Sequence, residues 1–298
     1  MTTRWEITDQ VADRLAAAGV PSPEVDAERI VEHVLERFGW DLLGCDTHVL
    51  EGLIARREAR EPLQQILGRT WFRHLEVACV AGVFVPRPET EVVAGLAIHA
   101  AAGVPSPVVI DACTGSGVIA LAVASEVPNA RVTAVDRSSV AVDLARENLA
   151  RLTAATPAEP WKPGPWLAPG ATVEVLEGDL LAPVPADLRG HVDVLVSNPP
   201  YLPAADATTW EPEVADHDPH DALIGGPDGH EVVDELLRLA ATWLRPGGTV
   251  VVEIDDRRGA AAAATATAAG LVAIRIAPDL TGRDRAVVAR RPDVSEEP

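Results

Sequence analysis

Up to about residue 60 apolar residues recur at helical spacing, in Val11, Leu15 and Ala18 and again in Ile30, Val34 and Leu35. Ser22 followed by Pro23 reads as a helix cap with proline at the first helical position, and Gly19 ends the helix before it. A third helix is predicted from about Thr47 to Arg57, with Arg and Glu on its solvent side. Between Trp71 and Val85 the pattern changes to β-formers, Phe72, Leu75, Val77, Cys79, Val80, Phe84 and Val85, with Ala81-Gly82 among them. A hairpin turning at Ala81-Gly82 fits that run.

Beyond it strands and helices alternate. Strands are predicted at Val108 to Asp111, Arg131 to Asp136, Thr172 to Leu176, His191 to Val196 and Thr249 to Ile254. Helices are predicted near Glu89, from Val118, from Val140 to Leu149, from Val232 to Leu244 and, Ala-rich, from about Ala260. Two closing strands, from Leu271 and from Arg285 to Ala289, have no helix between them. The alternation predicts an α/β fold: a mostly parallel sheet covered by helices on both faces, with an antiparallel hairpin at one edge. The domains follow: residues 1–66 helical, 67–88 a β-hairpin linker, 89–291 the sheet domain and 292–298 a tail. Residues 153–170 hold five prolines with Trp161 and Trp166, and read as a surface loop.

Composition narrows the setting. The 298 residues, 47% hydrophobic, suffice for an α/β domain and an appendage. Met1 to Arg14 carry both charge signs, and no run approaches the roughly 18 apolar residues of a membrane span, so a soluble cytoplasmic protein is expected. Cys45, Cys79 and Cys113 are too irregularly spaced for a disulfide framework or a zinc site. A net charge of −20 disfavours avid nucleic-acid binding, which needs positive surface to displace counterions.

Two motifs carry chemistry. Asp111-Ala112-Cys113-Thr114-Gly115-Ser116-Gly117 stands between a strand and a helix, where glycines let the backbone approach a ligand and helix N–H groups face it. Asp136 ends the next strand about 20 residues on, placed to accept hydrogen bonds from ribose hydroxyls. These features suit NAD or S-adenosylmethionine. The absence of a third glycine, and an acid at Asp111 that would repel a pyrophosphate but suit an amino or sulfonium group, favour S-adenosylmethionine. Asp179, with Gly178 after the third strand, either lies by the adenine or makes a turn.

The second motif is Asn198-Pro199-Pro200-Tyr201, at the carboxyl end of the fourth strand. Two prolines stop the strand and stiffen the turn. The Asn198 side-chain carbonyl and the Pro199 main-chain carbonyl can each accept one hydrogen of a substrate –NH₂, and Tyr201 can stack on a flat amide or base. Such a nitrogen is a poor nucleophile, and two acceptors aimed at its hydrogens favour charge developing on it.

With these residues the chain resembles the peptide-chain release factor glutamine-N5 methyltransferases, class I methyltransferases with a Rossmann-like sheet and a small N-terminal helical domain. Arg60-Glu61-Pro62-Leu63, Gly68, Phe84-Val85-Pro86-Arg87-Pro88-Glu89-Thr90-Glu91, Gly225-Gly226-Pro227-Asp228-Gly229 and Asp279-Leu280-Thr281-Gly282-Arg283-Asp284-Arg285 share in the likeness. The resemblance implies that Cys113 to Gly117 and Asp136 bind S-adenosylmethionine, with Leu180 by the adenine. It implies that Asn198 to Tyr201 hold a glutamine amide, that of a Gly-Gly-Gln loop in a translation termination factor. Cys113 stands where that family usually has glycine and is read as a packing residue.

Rival readings are a nucleic-acid methyltransferase acting on adenine N6 or guanine N2, and a silent cofactor-binding adaptor. His217, Asp218, His220, Asp221 and His230 lack metal-ligand spacing and read as a solvated loop. Arg87 and Glu89 either shape the site or pair with each other and cap the following helix.

Overall fold

The structure, a computed structural model, describes residues 3–38, 47–154 and 167–293. Cys45, Trp161, Trp166 and the last five residues of the tail lie outside them.

Four helices come first: α1 (Arg4–Ala17), α2 (Pro23–Phe38), α3 (Thr47–Glu58) and α4 (Leu63–Leu67). The N-terminus of α1 is closed by a capping box, in which Glu6 N–H donates to Thr3 Oγ1 at 3.3 Å and Thr3 N–H to Glu6 Oε2 at 2.6 Å. The helical periodicity becomes a separate small core of Val11, Leu15, Ile30, Val31, Leu35 and Ile54. The short α4 had no sequence signal beyond the turn that Gly68 makes at φ 71°.

The hairpin is β1 (Arg69–Phe72) paired antiparallel with β2 (Leu75–Ala78), and it turns at Arg73-His74, not at Ala81-Gly82. Arg73 takes φ 54°, the left-handed conformation that a two-residue turn ordinarily assigns to glycine. Tertiary contacts hold it there: Arg73 N–H donates to Glu91 Oε1 at 2.8 Å, and its guanidinium grips both oxygens of Glu126 at 2.5 and 2.9 Å. Gly82 does make a turn, at φ 84°, but Pro86 and Pro88 cannot donate to a ladder, and Val83 packs instead against Ala78, Ala141 and Leu144.

The main sheet has seven strands: β3 (Val108–Ala112), β4 (Arg131–Asp136), β5 (Thr172–Glu177), β6 (Val192–Ser197), β7 (Leu244–Glu253), β8 (Val272–Pro278) and β9 (Asp284–Arg290). They lie in the order β5-β4-β3-β6-β7-β9-β8, and only β9 runs against its neighbours. The helices are α5 (Thr90–Ala102), α6 (Val118–Glu126), α7 (Ser139–Ala154), α8 (Pro212–Ala215), α9 (Glu231–Trp243) and α10 (Gly259–Ala268). Alternate strand residues face opposite layers. Val109, Val132, Val194 and Val251 pack under α5, α6 and α7, while Ile110, Val135, Leu195 and Val250 pack under α9 and α10. The central strands β3 and β6 are buried at every position, which is why they read as continuous apolar runs.

Two boundaries differ from expectation. Helix α7 runs to Ala154, so the Pro-rich loop starts later, and residues 155–166 of it lie outside the description. Strand β7 begins at Leu244 and takes in Arg245-Pro246-Gly247-Gly248, with a register shift against β6. Among the described residues no helix is long and apolar enough to cross a membrane.

Candidate active site

The first crossover leaves β3 toward β4 on one side, and β6 lies on its other side, so the strand order reverses there. At that point the carboxyl ends of β3, β4 and β6 open on a cleft of about 900 Å³. Its walls include Cys113 to Ser116, Asp136, Asp179, Leu180 and Asn198 to Leu202, so both sequence motifs face one space.

The glycine loop is folded by left-handed residues, Cys113 at φ 56°, Gly115 at 57° and Gly117 at 87°. Asp136 ties it to β4: Gly115 N–H donates to Asp136 Oδ2 at 2.8 Å and Ser138 N–H to Oδ1 at 2.9 Å. Each carboxylate oxygen keeps a free lone pair for a ligand hydroxyl. Cys113 carries a side chain where the left-handed backbone costs an L-residue about 1 kcal/mol or more. It is half-buried, and burial pushes its thiol up to about 12, so it stays protonated at neutral pH and is no nucleophile.

Two residues read as cofactor contacts stand elsewhere. Asp111 is 0% exposed beneath the loop and does not line the cleft. Its Oδ2 accepts from Thr114 Oγ1 at 2.5 Å and from Ala120 N–H at 3.0 Å, so it braces the loop against the start of α6. Burial pushes its carboxyl up to about 7. Gly117 also stays out of the cleft; a Cβ there would lie 3.2 Å from that of Ala145, so its glycine serves the close approach of α6 to α7. Asp179 is exposed at the rim, and Leu180 is half-buried there with φ 47°.

On the acceptor side, Asn198 is half-buried, and its amide N–H₂ donates to Thr90 Oγ1 at 3.0 Å. Among the described residues neither its side-chain oxygen nor the Pro199 carbonyl accepts a protein hydrogen bond. Tyr201 lines the cleft, and its hydroxyl donates to Glu253 Oε1 at 3.1 Å. Behind the motif, Leu202 N–H donates to the Leu223 carbonyl at 2.9 Å and Gly225 N–H to the Leu202 carbonyl at 3.1 Å. A Cβ at Gly225 would lie 2.5 Å from the Pro200 carbonyl oxygen, and one at Gly229 2.6 Å from that of Tyr201. The Gly-Gly-Pro-Asp-Gly segment is therefore the backrest of the acceptor motif.

The loop between β6 and α9 is less solvated than its composition indicated. Asp218 is 4% exposed, and its Oδ2 pairs with Arg87 Nη2 at 2.7 Å. The Arg87 guanidinium also lies over the Phe84 ring, at 5.2 Å from its centroid; the Arg87 carbonyl accepts from Thr90 N–H at 3.2 Å at the start of α5, and Glu89 makes no side-chain cap there. Glu213 of α8 accepts from Arg57 at 3.0 Å and from Arg60 at 2.7 and 2.5 Å, which fastens this loop to the N-terminal helices.

Sequence reading gave no individual role to Thr90 or Glu213 and did not single out Asn148 or Glu253. Asn148 of α7 donates to the Ser116 carbonyl at 2.9 Å and accepts from Ala78 N–H at 2.8 Å, joining the glycine loop to the hairpin. Its one local signal is polarity at a buried helical position.

Residues 96–211 match the methyltransferase small domain family, and residues 6–68 match the PrmC N-terminal domain. A release factor glutamine methyltransferase of Streptomyces coelicolor is 44% identical over 95% of this chain and 96% of its own length. One of Deinococcus radiodurans is 41% identical over 96% of this chain and 98% of its own, and one of Mycobacterium tuberculosis 39% over 98% and 92%. With such identity over nearly the whole length of both chains, the chain belongs to the release factor glutamine methyltransferase family.

Proposed function

We propose that this enzyme transfers a methyl group from S-adenosylmethionine to the side-chain amide nitrogen of a glutamine, that of the Gly-Gly-Gln loop of a peptide-chain release factor. The observation that carries this reading is the shared cleft: a ribose-type carboxylate and a glycine loop on one wall, two unengaged carbonyl oxygens on the other. Its volume of about 900 Å³ is of the size that holds a nucleoside with room for a second group. Cys113 to Ser116 and Asp136 would hold the cofactor, with Leu180 against its base. When bound, S-adenosylmethionine supplies the electrophilic methyl group.

The chain's own residues do the rest. Asn198 Oδ1 and the Pro199 carbonyl take one hydrogen each from the substrate –NH₂, which fixes the nitrogen and directs its lone pair away from both. They also favour the positive charge that grows on nitrogen as the new bond forms. The extra proton then leaves to water, and neither acceptor needs to become a base. Tyr201 and Pro200 bound the amide with flat apolar surface and exclude solvent. The N-terminal unit, residues 1–66, reads as the docking module for the acceptor protein, joined through the linker at 67–88 to a catalytic domain over 89–291. A termination factor as acceptor would place the reaction in the cytoplasm.

The test is transfer of labelled methyl from S-adenosylmethionine to purified release factor, beside a copy with its Gly-Gly-Gln glutamine changed to alanine. Label on the first alone is the expected result; no label on either, with cofactor bound, removes release factor as substrate. Asn198→Ala is expected to keep cofactor affinity while transfer falls about 100-fold or more, as for other groups aimed at developing charge.

A further inference from the structure

An amide side chain presents either its oxygen or its N–H₂ to a substrate, and only the oxygen serves the chemistry above. What lies behind Asn198 decides between them. Its partner is the hydroxyl of Thr90, the first residue of α5 and 2% exposed, at 3.0 Å. A hydroxyl can donate one hydrogen and accept others, so by itself it would satisfy either end of the amide. Beyond Thr90, however, stands Glu253, at the end of β7 and 1% exposed. Its carboxyl lies near enough to the Thr90 hydroxyl to be stabilised by it, its Oε2 is buried without a hydrogen-bond partner, and its Oε1 accepts from the Tyr201 hydroxyl at 3.1 Å.

A carboxylate only accepts, so it draws the hydroxyl hydrogen of Thr90 to itself and leaves an oxygen lone pair toward Asn198. That lone pair requires the amide N–H₂, and the amide oxygen then faces the cleft. We propose that Thr90, with its hydroxyl turned by Glu253, is the positioning residue that sets which end of the Asn198 amide meets the substrate. With the amide reversed, two –NH₂ groups would face each other and the acceptor nitrogen would lose one of its two hydrogen-bond acceptors. The inference rests on the amide-transfer reading of the site.

The experiment measures single-turnover transfer to release factor, together with cofactor affinity by calorimetry, for Thr90→Val, Thr90→Ser, Asn198→Ala and the Thr90→Val/Asn198→Ala double variant. Thr90→Val keeps the shape and removes the hydroxyl; it is expected to lower the transfer rate about 10- to 100-fold with cofactor affinity held within about 3-fold, the scale of loss when a reacting group is misplaced. Thr90→Ser is expected to restore most of the rate. Because Thr90 acts through Asn198, adding Thr90→Val to Asn198→Ala is expected to cost no more than about 2-fold, as for residues that act as one unit. A Thr90→Val enzyme as fast as the unaltered one, or losses that multiply in the double variant, overturns the inference while leaving the amide-transfer reading in place. Absence of transfer by the unaltered enzyme overturns both. If Thr90→Val does not fold, Glu253→Gln carries the test: a slower enzyme whose loss vanishes in the Asn198→Ala background supports the relay, and an additive loss refutes it.

Discussion

Asp111 shows how a residue of the right type in the right motif can do a different task. It stands just before the glycine loop, but its carboxyl is enclosed and engaged by Thr114 and Ala120, so it shapes the loop from below. Enclosure has a consequence for pH. The folded protein holds this proton up to about 7, whereas the ordinary carboxyl releases it near 3.8. The stability linked to Asp111 is therefore fully present below 3.8 and is lost as pH rises toward about 7. Urea unfolding across that window should show Asp111→Asn flattening the fall in stability by up to about 1.4 kcal/mol per pH unit, the slope of one proton. An unchanged slope would mean that the group titrates normally and is reached by solvent.

Single elements owe their function to close packing against others. The acceptor motif ends a strand, and two prolines deny it ladder hydrogen bonds, so its shape is held by the Gly225 to Gly229 segment behind it. There the need for glycine is steric: an added methyl at Gly225 would stand 2.5 Å from the Pro200 carbonyl oxygen and 2.8 Å from that of Gly229, both backbone atoms. Gly225→Ala is expected to shift Pro199 and Asn198 and to lower transfer at least about 10-fold, while cofactor binding, proposed for the other wall, stays intact. Gly103→Ala is the control, since nothing lies within 4 Å of a Cβ there. Transfer at the normal rate by Gly225→Ala would show that the segment gives way without moving the acceptor groups.

Across the whole molecule the N-terminal helices and the catalytic sheet are joined through charge. Arg57, 5% exposed, pairs with Asp26 at 2.7 Å and with Glu213 at 3.0 Å, and Arg60 forks onto the same glutamate. Burial raises the Glu213 carboxyl, but hydrogen bonds from Arg60 and Arg57 outweigh it and hold the group below its usual 4.5. Here the sign is opposite to that of Asp111: the contribution is present above 4.5 and is lost as pH falls. Removing one partner of an enclosed pair leaves the other unmatched, so Glu213→Ala is expected to destabilise by about 2 to 3 kcal/mol, between surface and fully buried pairs. Thermal unfolding at pH 7 and pH 4 would measure it, and the difference between variant and parent should shrink at the lower pH. A constant difference would assign the loss to packing alone.

The sequence by itself determined the order of strands and helices, the parallel sheet with its antiparallel edge, and the two motifs that face the cleft. These are legible because period and composition are local: buried central strands are apolar throughout, amphipathic helices repeat at their own spacing, and glycine or proline marks a turn wherever it falls. The structure decided what depends on a partner distant in the chain. The hairpin turned at Arg73 because Glu91 and Glu126 hold a conformation that its own residues disfavour. Asp111 and Gly117 left the cleft because α6 and α7 close on them, and Thr90 and Glu253, far apart in the chain, came to stand behind Asn198. Hydrogen-bond direction and steric contact are properties of pairs of groups in space, and no single segment of the chain contains both members.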